Sequence, residues 1–370
     1  MLQSNAKSLL KGFKFLSFAF NFDGTISIKR MVLVLLVTLI FPLINILGSY
    51  FDNTFYLPGN GRGLLQHYGV WAFFITTPII LVFTILSVHN FILLINNVNR
   101  YLINERMPKE LEKVISAQLN SISLKSNSRF ILLLFIIVGF MFSIVNYIQT
   151  LHPLETFGND IYDSYNYKFG FIANRIHLTI LWTIIYPVVL FIVVHIYVST
   201  ILILKRIYEE KIFYMDLFSE DGCGGASRFR KIILLITCVY LLIFIVMITL
   251  KVTHNSSYLT INLPLIFMTI FFIAHNSVGI YYLTKIIKSK KNEYLEKINS
   301  QLKLSLNNLS SIPENLLALR DHVINIKTNP YATDLGKLTG IISFFPTLLA
   351  VINYLTPFFN TIFKYLASPK

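Results

Sequence analysis

Residues 176–204 read IHLTILWTIIYPVVLFIVVHIYVSTILIL, 29 positions between Arg175 and Lys205 without one Asp, Glu, Lys or Arg. A helix needs about 20 apolar residues to cross the hydrocarbon core of a bilayer, so this stretch is long enough to span. Six more uncharged stretches follow the same pattern: 31–51, 70–99, 130–150, 232–250, 252–284 and 338–363. Together the seven hold 179 of the 370 residues, which is why only 14% of the chain is charged where a soluble domain carries about 25%. A mean hydropathy of +0.63 agrees. Soluble, secreted, fibrous and disordered classes are excluded. The expected fold is all-α, a polytopic transmembrane helix bundle of about seven spans. It has six if 338–363, interrupted by Pro346 and Pro357, forms a re-entrant or interfacial segment instead.

The net charge of +14 takes its meaning from where it falls. The N-terminal tail and the second, fourth and sixth connections hold 26 of the 32 Lys and Arg residues; Arg62, Lys168, Arg175, Lys251, Lys364 and Lys370 make up the other side. Loops rich in Lys and Arg stay in the cytoplasm, so the N-terminus and the even-numbered connections are expected there. The basic excess is then a topology signal and an attraction for anionic headgroups, and no nucleic-acid partner is expected. Cys223 and Cys238 are too few for a disulfide framework or a structural zinc site; neither a metal nor a cofactor is expected.

Four regions follow. Residues 1–30 form an arm in which Leu9, Leu10, Phe13, Leu16 and Phe20 recur at helical spacing opposite Lys7, Lys11 and Lys14, the pattern of a basic interfacial helix. Residues 31–284 form a six-span bundle carrying a cytoplasmic helical loop at 100–129 and a glycine loop at 216–228. Residues 285–337 form a cytoplasmic helical segment, and 338–370 the last span or re-entrant segment with its tail. In the 100–129 loop, Pro108 opens a helix with Leu111, Val114, Ile115 and Leu119 on one face. In 285–310, Leu295, Ile298, Leu302, Leu306 and Leu309 step by three and four, and Ser311-Ile312-Pro313-Glu314 reads as a capping box. Leu316, Leu319 and Val323 then make an apolar side. These helices are expected to lie on the membrane or on each other.

His89-Asn90 followed by Leu111-Glu112-Lys113-Val114, and His275-Asn276 followed by Leu295-Glu296-Lys297-Ile298, nearly superpose at offsets of 186 and 184 residues. A duplication would read this way, although Leu, Ile, Asn and Lys are common enough to match by chance. Of the histidines inside the stretches, His89, His195 and His275 precede Arg100, Lys205 and Lys285 by 11, 10 and 10 residues. At about 1.5 Å per residue each lies roughly 15 Å from the cytoplasmic edge. Three imidazoles at one depth suit a metal or a proton relay; separate packing sites bonded to Asn90, Asn276 or backbone are the simpler expectation. Pro78, Pro187, Pro264 and Pro346 each permit a kink.

The segment DLFSEDGCGGASR, 216–228, is the richest polar sequence of the cytoplasmic side. It lacks the terminal Gly-Lys-Ser/Thr of a P-loop, and no His-Glu-x-x-His or Gly-x-Ser-x-Gly occurs in the chain; no enzymatic activity is expected. Consecutive glycines expose backbone N–H groups. With Asp221, Gly222, Cys223, Gly224 and Gly225 followed by Arg228 and Arg230, the loop reads either as an anion cradle at a helix start or as a tight turn.

From Phe171 to Phe229 the chain resembles a family of uncharacterised bacterial multi-spanning membrane proteins whose aromatic span leads into a cytoplasmic His-Pro-Asp-x-Ala/Cys-Gly-Gly-Leu loop. Asp221, Cys223, Gly224 and Gly225 match it; Ser219, Glu220 and Ala226 depart from its His, Pro and Leu. Asn329-Pro330-Tyr331 followed by Pro346 is similar to the family's C-terminal end. The resemblance implies a multi-pass protein of the bacterial cytoplasmic membrane and carries no activity. Two functions remain expected. One is a non-enzymatic membrane anchor or effector, held by the lipid bilayer, whose cytoplasmic face engages a protein partner, a second copy or an anionic ligand. The other is a channel or transporter for a small solute or ion.

Overall fold

The first six uncharged stretches are helical wherever the computed structural model describes them. It describes residues 26–56, 64–66, 68–103, 107–122, 128–151, 169–219, 224–254, 259–307 and 314–328. The helices are α1 (Ile28–Phe51), α2 (Tyr68–Asn96), α3 (Lys109–Ile122), α4 (Ser128–Leu151), α5 (Phe169–Ile180), α6 (Tyr186–Glu209), α7 (Ser227–His254), α8 (Leu259–Asn307) and α9 (Glu314–Asn325). A π-helical turn, Leu181–Ile185, joins α5 to α6 into one rod, which leaves eight helical rods among the described residues. Four runs are long and apolar enough to cross a membrane: Ile28–Phe51, Val70–Asn96, Arg175–Glu209 and Ser227–Met247. In α4 a shorter apolar run, Ser128–Met141, has described side chains, as do Ser143 and Ile144 beyond it. The side chains of the apolar half of α8, the stretch 338–363 and the arm 1–25 lie outside the described residues.

Boundaries differ from the sequence reading at three places. Ile28–Arg30 already belong to α1, because nothing in Ile-Lys-Arg stops a helix and the charged ends of Lys29 and Arg30 reach past their own turn. Residues 252–254 continue α7 rather than opening the next span. The sixth stretch and the segment after it form one helix of 49 residues, about 74 Å long. That continuity also separates the two suspected repeat blocks. The block at Leu295 is the extension of α8, whereas α2 ends at Asn96 and the block at Leu111 occupies the independent helix α3.

The α5–α6 rod, which carries the uncharged stretch 176–204, is the centre of the packing, with α6 meeting α2, α3, α4, α7 and α8. Its Phe191, Val193, Ile196, Ile203 and Ile207 are completely buried. Helices α2 and α7 pair along much of their length, and α1 lies mainly against α5. On α1, Leu36, Leu43 and Leu47 each remain 55% exposed, an apolar face suited to acyl chains rather than water. The predicted disturbance at Pro187 appears as the π turn. Proline has no N–H to return to the carbonyl four residues earlier, and the widened turn pushes the Trp182 carbonyl outward. Gly139 of α4 receives it: a Cβ there would run into the Trp182 oxygen and lie 2.8 Å from Pro187 Cγ. Ser143 and Thr183 hydroxyls meet at 3.2 Å beside this contact, and Tyr186 OH meets Thr77 Oγ1 at 3.0 Å. Small hydroxyl groups at helix crossings satisfy one another where lipid offers nothing.

Candidate functional site

The connections that carry most of the lysine and arginine are assembled into one structure at one end of the bundle. After α6 the chain reverses at Lys211, which takes a positive φ of 53°. It then runs antiparallel to the residues following α2. Ile103 N–H donates to Ile212 O and Tyr214 N–H to Tyr101 O, both at 2.8 Å, flanking the bridge between Leu102 and Phe213. Leu102, Phe213 and Met215 are buried under this short pairing. Helix α3 closes over α6 from the other side with Leu111, Ile115, Leu119 and Ile122 buried; the periodicity named the first three, and Val114, which it also named, is half-buried. Gln118 Oε1 accepts from Ser199 Oγ at 3.2 Å. Glu110 lies 2.9 Å from Lys113 and 3.3 Å from Arg206; Lys113 first and Arg206 second hold its carboxyl below the ordinary value.

The glycine loop grows out of the same pairing. Asp216 N–H donates to Gly224 O at 3.1 Å and closes the loop. The Asp216 carboxylate accepts from Phe218 N–H at 3.1 Å, an Asx turn. Gly224 and Gly225 have φ of +70° and +87°, a region that costs residues with a Cβ about 1–2 kcal/mol. At Gly224 space forbids a side chain as well, since a Cβ would sit 2.7 Å from Met215 Cγ; at Gly225 the nearest atom is Asp216 Cβ at 3.5 Å. Ser227 then starts α7. Phe229 is buried and meets Tyr101 edge-on at 5.5 Å. Arg228 and Arg230 are therefore in the first turn of α7 rather than in the loop. Buried Nη1 of Arg228 has no hydrogen-bond partner among the described residues. Asp221, Gly222 and Cys223 lie outside the described residues.

A helical hairpin docks on this loop. Helix α9 returns along the extension of α8, burying Val323 and Ile298. Lys291 Nζ donates to the carbonyls of Ile324 and Ile326 at 2.5 and 2.8 Å. It therefore caps the C-terminal end of α9, whose last carbonyls have no partner within the helix. Arg320 Nε donates to Asn299 Oδ1 at 3.3 Å. From α9, His322 Nε2–H donates to Leu217 O at 2.6 Å, and its ring stacks on Phe218 with centroids 5.3 Å apart. No motif marked His322; it is a lone histidine whose partner is a carbonyl 105 positions away in the chain. At the root of the hairpin, Lys285 Nζ stands 4.4 Å over the Tyr281 ring.

Of the intramembrane histidines, His195 has a local partner: its Nδ1–H donates to Phe191 O at 2.9 Å, and its ring centroid lies 4.0 Å from that of Phe191. Asn90 Nδ2 donates to Leu86 O at 2.8 Å. His89 is half-buried on α2; the side chains of His275 and Asn276 lie outside the described residues. Among the described residues no three His, Cys, Asp or Glu side chains form a metal-holding group.

Sequence reasoning passed over a different polar pair. His177 of α5 is 3% exposed and Asn45 of α1 is 1% exposed, with His177 Nδ1 and Asn45 Nδ2 3.2 Å apart. One signal pointed to it: Asn45 is the only amide side chain in 31–51, six positions from the end of that stretch, and His177 is the second residue of 176–204. Compared with protein-family models, with curated proteins and with solved structures, the chain matches none of them.

Proposed function

We propose that this chain is an integral protein of the bacterial cytoplasmic membrane, a non-enzymatic anchor or effector whose cytoplasmic face engages a partner or an anionic ligand at the 216–228 loop. The observation carrying the reading is the joining of three basic connections at one end. The Leu102–Phe213 bridge, the Arg206–Glu110 ion pair and the His322–Leu217 hydrogen bond link the second, fourth and sixth connections. The positive-inside rule would put all of them in the cytoplasm. Arg228, whose buried Nη1 has no hydrogen-bond partner among the described residues and which follows two glycines of positive φ in the chain, supports an anion at the start of α7.

The alternative, passage of a solute through the bundle, has the π turn in its favour, since such turns cluster at functional sites. Against it, Phe73, Trp182 and Tyr186 pack together at the level of that turn, with Trp182 and Tyr186 centroids 5.2 Å apart. Titrating inorganic phosphate into the purified full chain in nanodiscs tests the anion reading. Phosphate should raise the Tm of the wild type and leave that of Arg228→Ala unmoved. A wild-type Tm that ignores phosphate contradicts it.

A further inference from the structure

At the end of the bundle away from the basic connections, the pair Asn45–His177 has one hydrogen-bonding atom too many. An amide NH₂ only donates, so Asn45 Nδ2 gives its hydrogen to His177 Nδ1 at 3.2 Å, and the imidazole is neutral with its proton on Nε2. The imidazole lies parallel to Phe41, centroids 5.5 Å apart at 5°, and 5.6 Å from Phe74. The pair is thus walled by aromatic carbon from α1 and α2. Asn45 Oδ1 is left buried without a hydrogen-bond partner among the described residues, on a residue 1% exposed. A carbonyl oxygen stranded in apolar surroundings loses its hydration with nothing in return, and buried polar atoms of this kind are regularly met by a bound molecule.

We propose that Asn45 Oδ1 binds the hydroxyl of a small molecule, with the O–H donating to the amide oxygen. Depth and polarity favour a hydroxyl over any charged group. Asn45 is six residues from the end of α1 at Phe51, about 9 Å by helical rise, so the site is within reach of the interface. Ser49, four residues on and therefore on the same helix face, is also 1% exposed, and its carbonyl accepts from Thr54 N–H and Thr54 Oγ1. Asn45, Ser49 and Thr54 make a polar line running from the site to the end of α1. No cation is called for: among the described residues the site offers one amide oxygen beside a neutral imidazole and no metal-holding group. Water and the hydroxyl of a lipid or solute present the same O–H donor.

A high-resolution density map of the full wild-type chain in nanodiscs reads the site directly. The proposal predicts a peak within hydrogen-bonding distance of Asn45 Oδ1. An isolated peak identifies water, and a peak continuous with elongated density identifies a hydroxyl-bearing lipid or solute. A map that resolves Asn45 and shows no peak overturns the proposal. The double variant Asn45→Leu, His177→Phe adds an independent reading. If a hydroxyl satisfies the oxygen, removing the pair lowers Tm by about 3 °C or more. If the oxygen is truly stranded, replacing both partners by apolar groups leaves Tm unchanged or raised, and the proposal fails.

Discussion

Gly224 and Gly225 both hold backbone that other residues avoid, yet they differ in what surrounds them. Gly225→Ala should cost about 1–2 kcal/mol of stability, the strain of positive φ alone, because its Cβ would make only an ordinary van der Waals contact with Asp216 Cβ at 3.5 Å. Gly224→Val should cost more, as it adds overpacking against Met215, itself worth about 1–3 kcal/mol. Thermal unfolding of the two variants measures the difference, and equal losses would mean that Met215 moves aside freely. Gly139→Leu meets backbone rather than a flexible side chain, at the Trp182 carbonyl. It should part α4 from the π turn and lower the yield of folded protein more than the same change at exposed Ile137. The two glycines of the loop were legible in the sequence as a turn. Gly139 was not, because its need arises from a bulge 43 positions later that only the folded rod displays.

At the scale of elements, the α8–α9 hairpin is held by side chains at its root and along its length. Lys291→Met removes the cap on the Ile324 and Ile326 carbonyls. Amide hydrogen exchange of 314–326 should then accelerate while that of α6 stays unchanged; equal protection in both proteins would show that the cap is dispensable. Glu293 ties two turns of α8 together by accepting from Lys290 at 2.7 Å and from Lys297 at 2.9 Å. Those hydrogen bonds, Lys290 first, hold its carboxyl at about 2, below the ordinary 4.5. A depressed carboxylate stabilises the folded state fully above pH 4.5, and the contribution fades as pH falls towards 2. Helicity of the α8 extension should therefore decline across that window in the wild type, and the decline should be smaller in Glu293→Gln. Because the groups are partly exposed and screened, the difference is modest. Periodicity and the capping-box pattern made α3, the α8 extension and α9 readable from sequence, since these amphipathic helices are patterned by local burial. Their fusion and docking were not readable: whether a helix stops at a membrane surface depends on what it meets there, and His322 meets Leu217 only in the folded chain.

For the whole molecule, the uncharged stretches foretold an all-helical protein with several apolar rods, because a backbone in lipid has little choice but to form helices. Four of those rods are long and apolar enough to cross a membrane among the described residues. The lysine and arginine census separated two sides, and the structure joins three of the basic connections physically at one end. Part of the glycine loop was anticipated; the buried Asn45–His177 pair was passed over, because a single histidine next to Arg175 looks like an interfacial residue until α1 is laid against it. The joined basic connections are expected to occupy one side of the membrane, the cytoplasm. Single cysteines in a background carrying Cys223→Ser and Cys238→Ser test it, with a membrane-impermeant maleimide applied to intact cells. Tyr56→Cys, 60% exposed at the opposite end, should label at once. Lys113→Cys and Lys303→Cys, both exposed on the basic side, should label only after the membrane is opened. Labelling of Lys113→Cys or Lys303→Cys in intact cells, or protection of Tyr56→Cys, would contradict it.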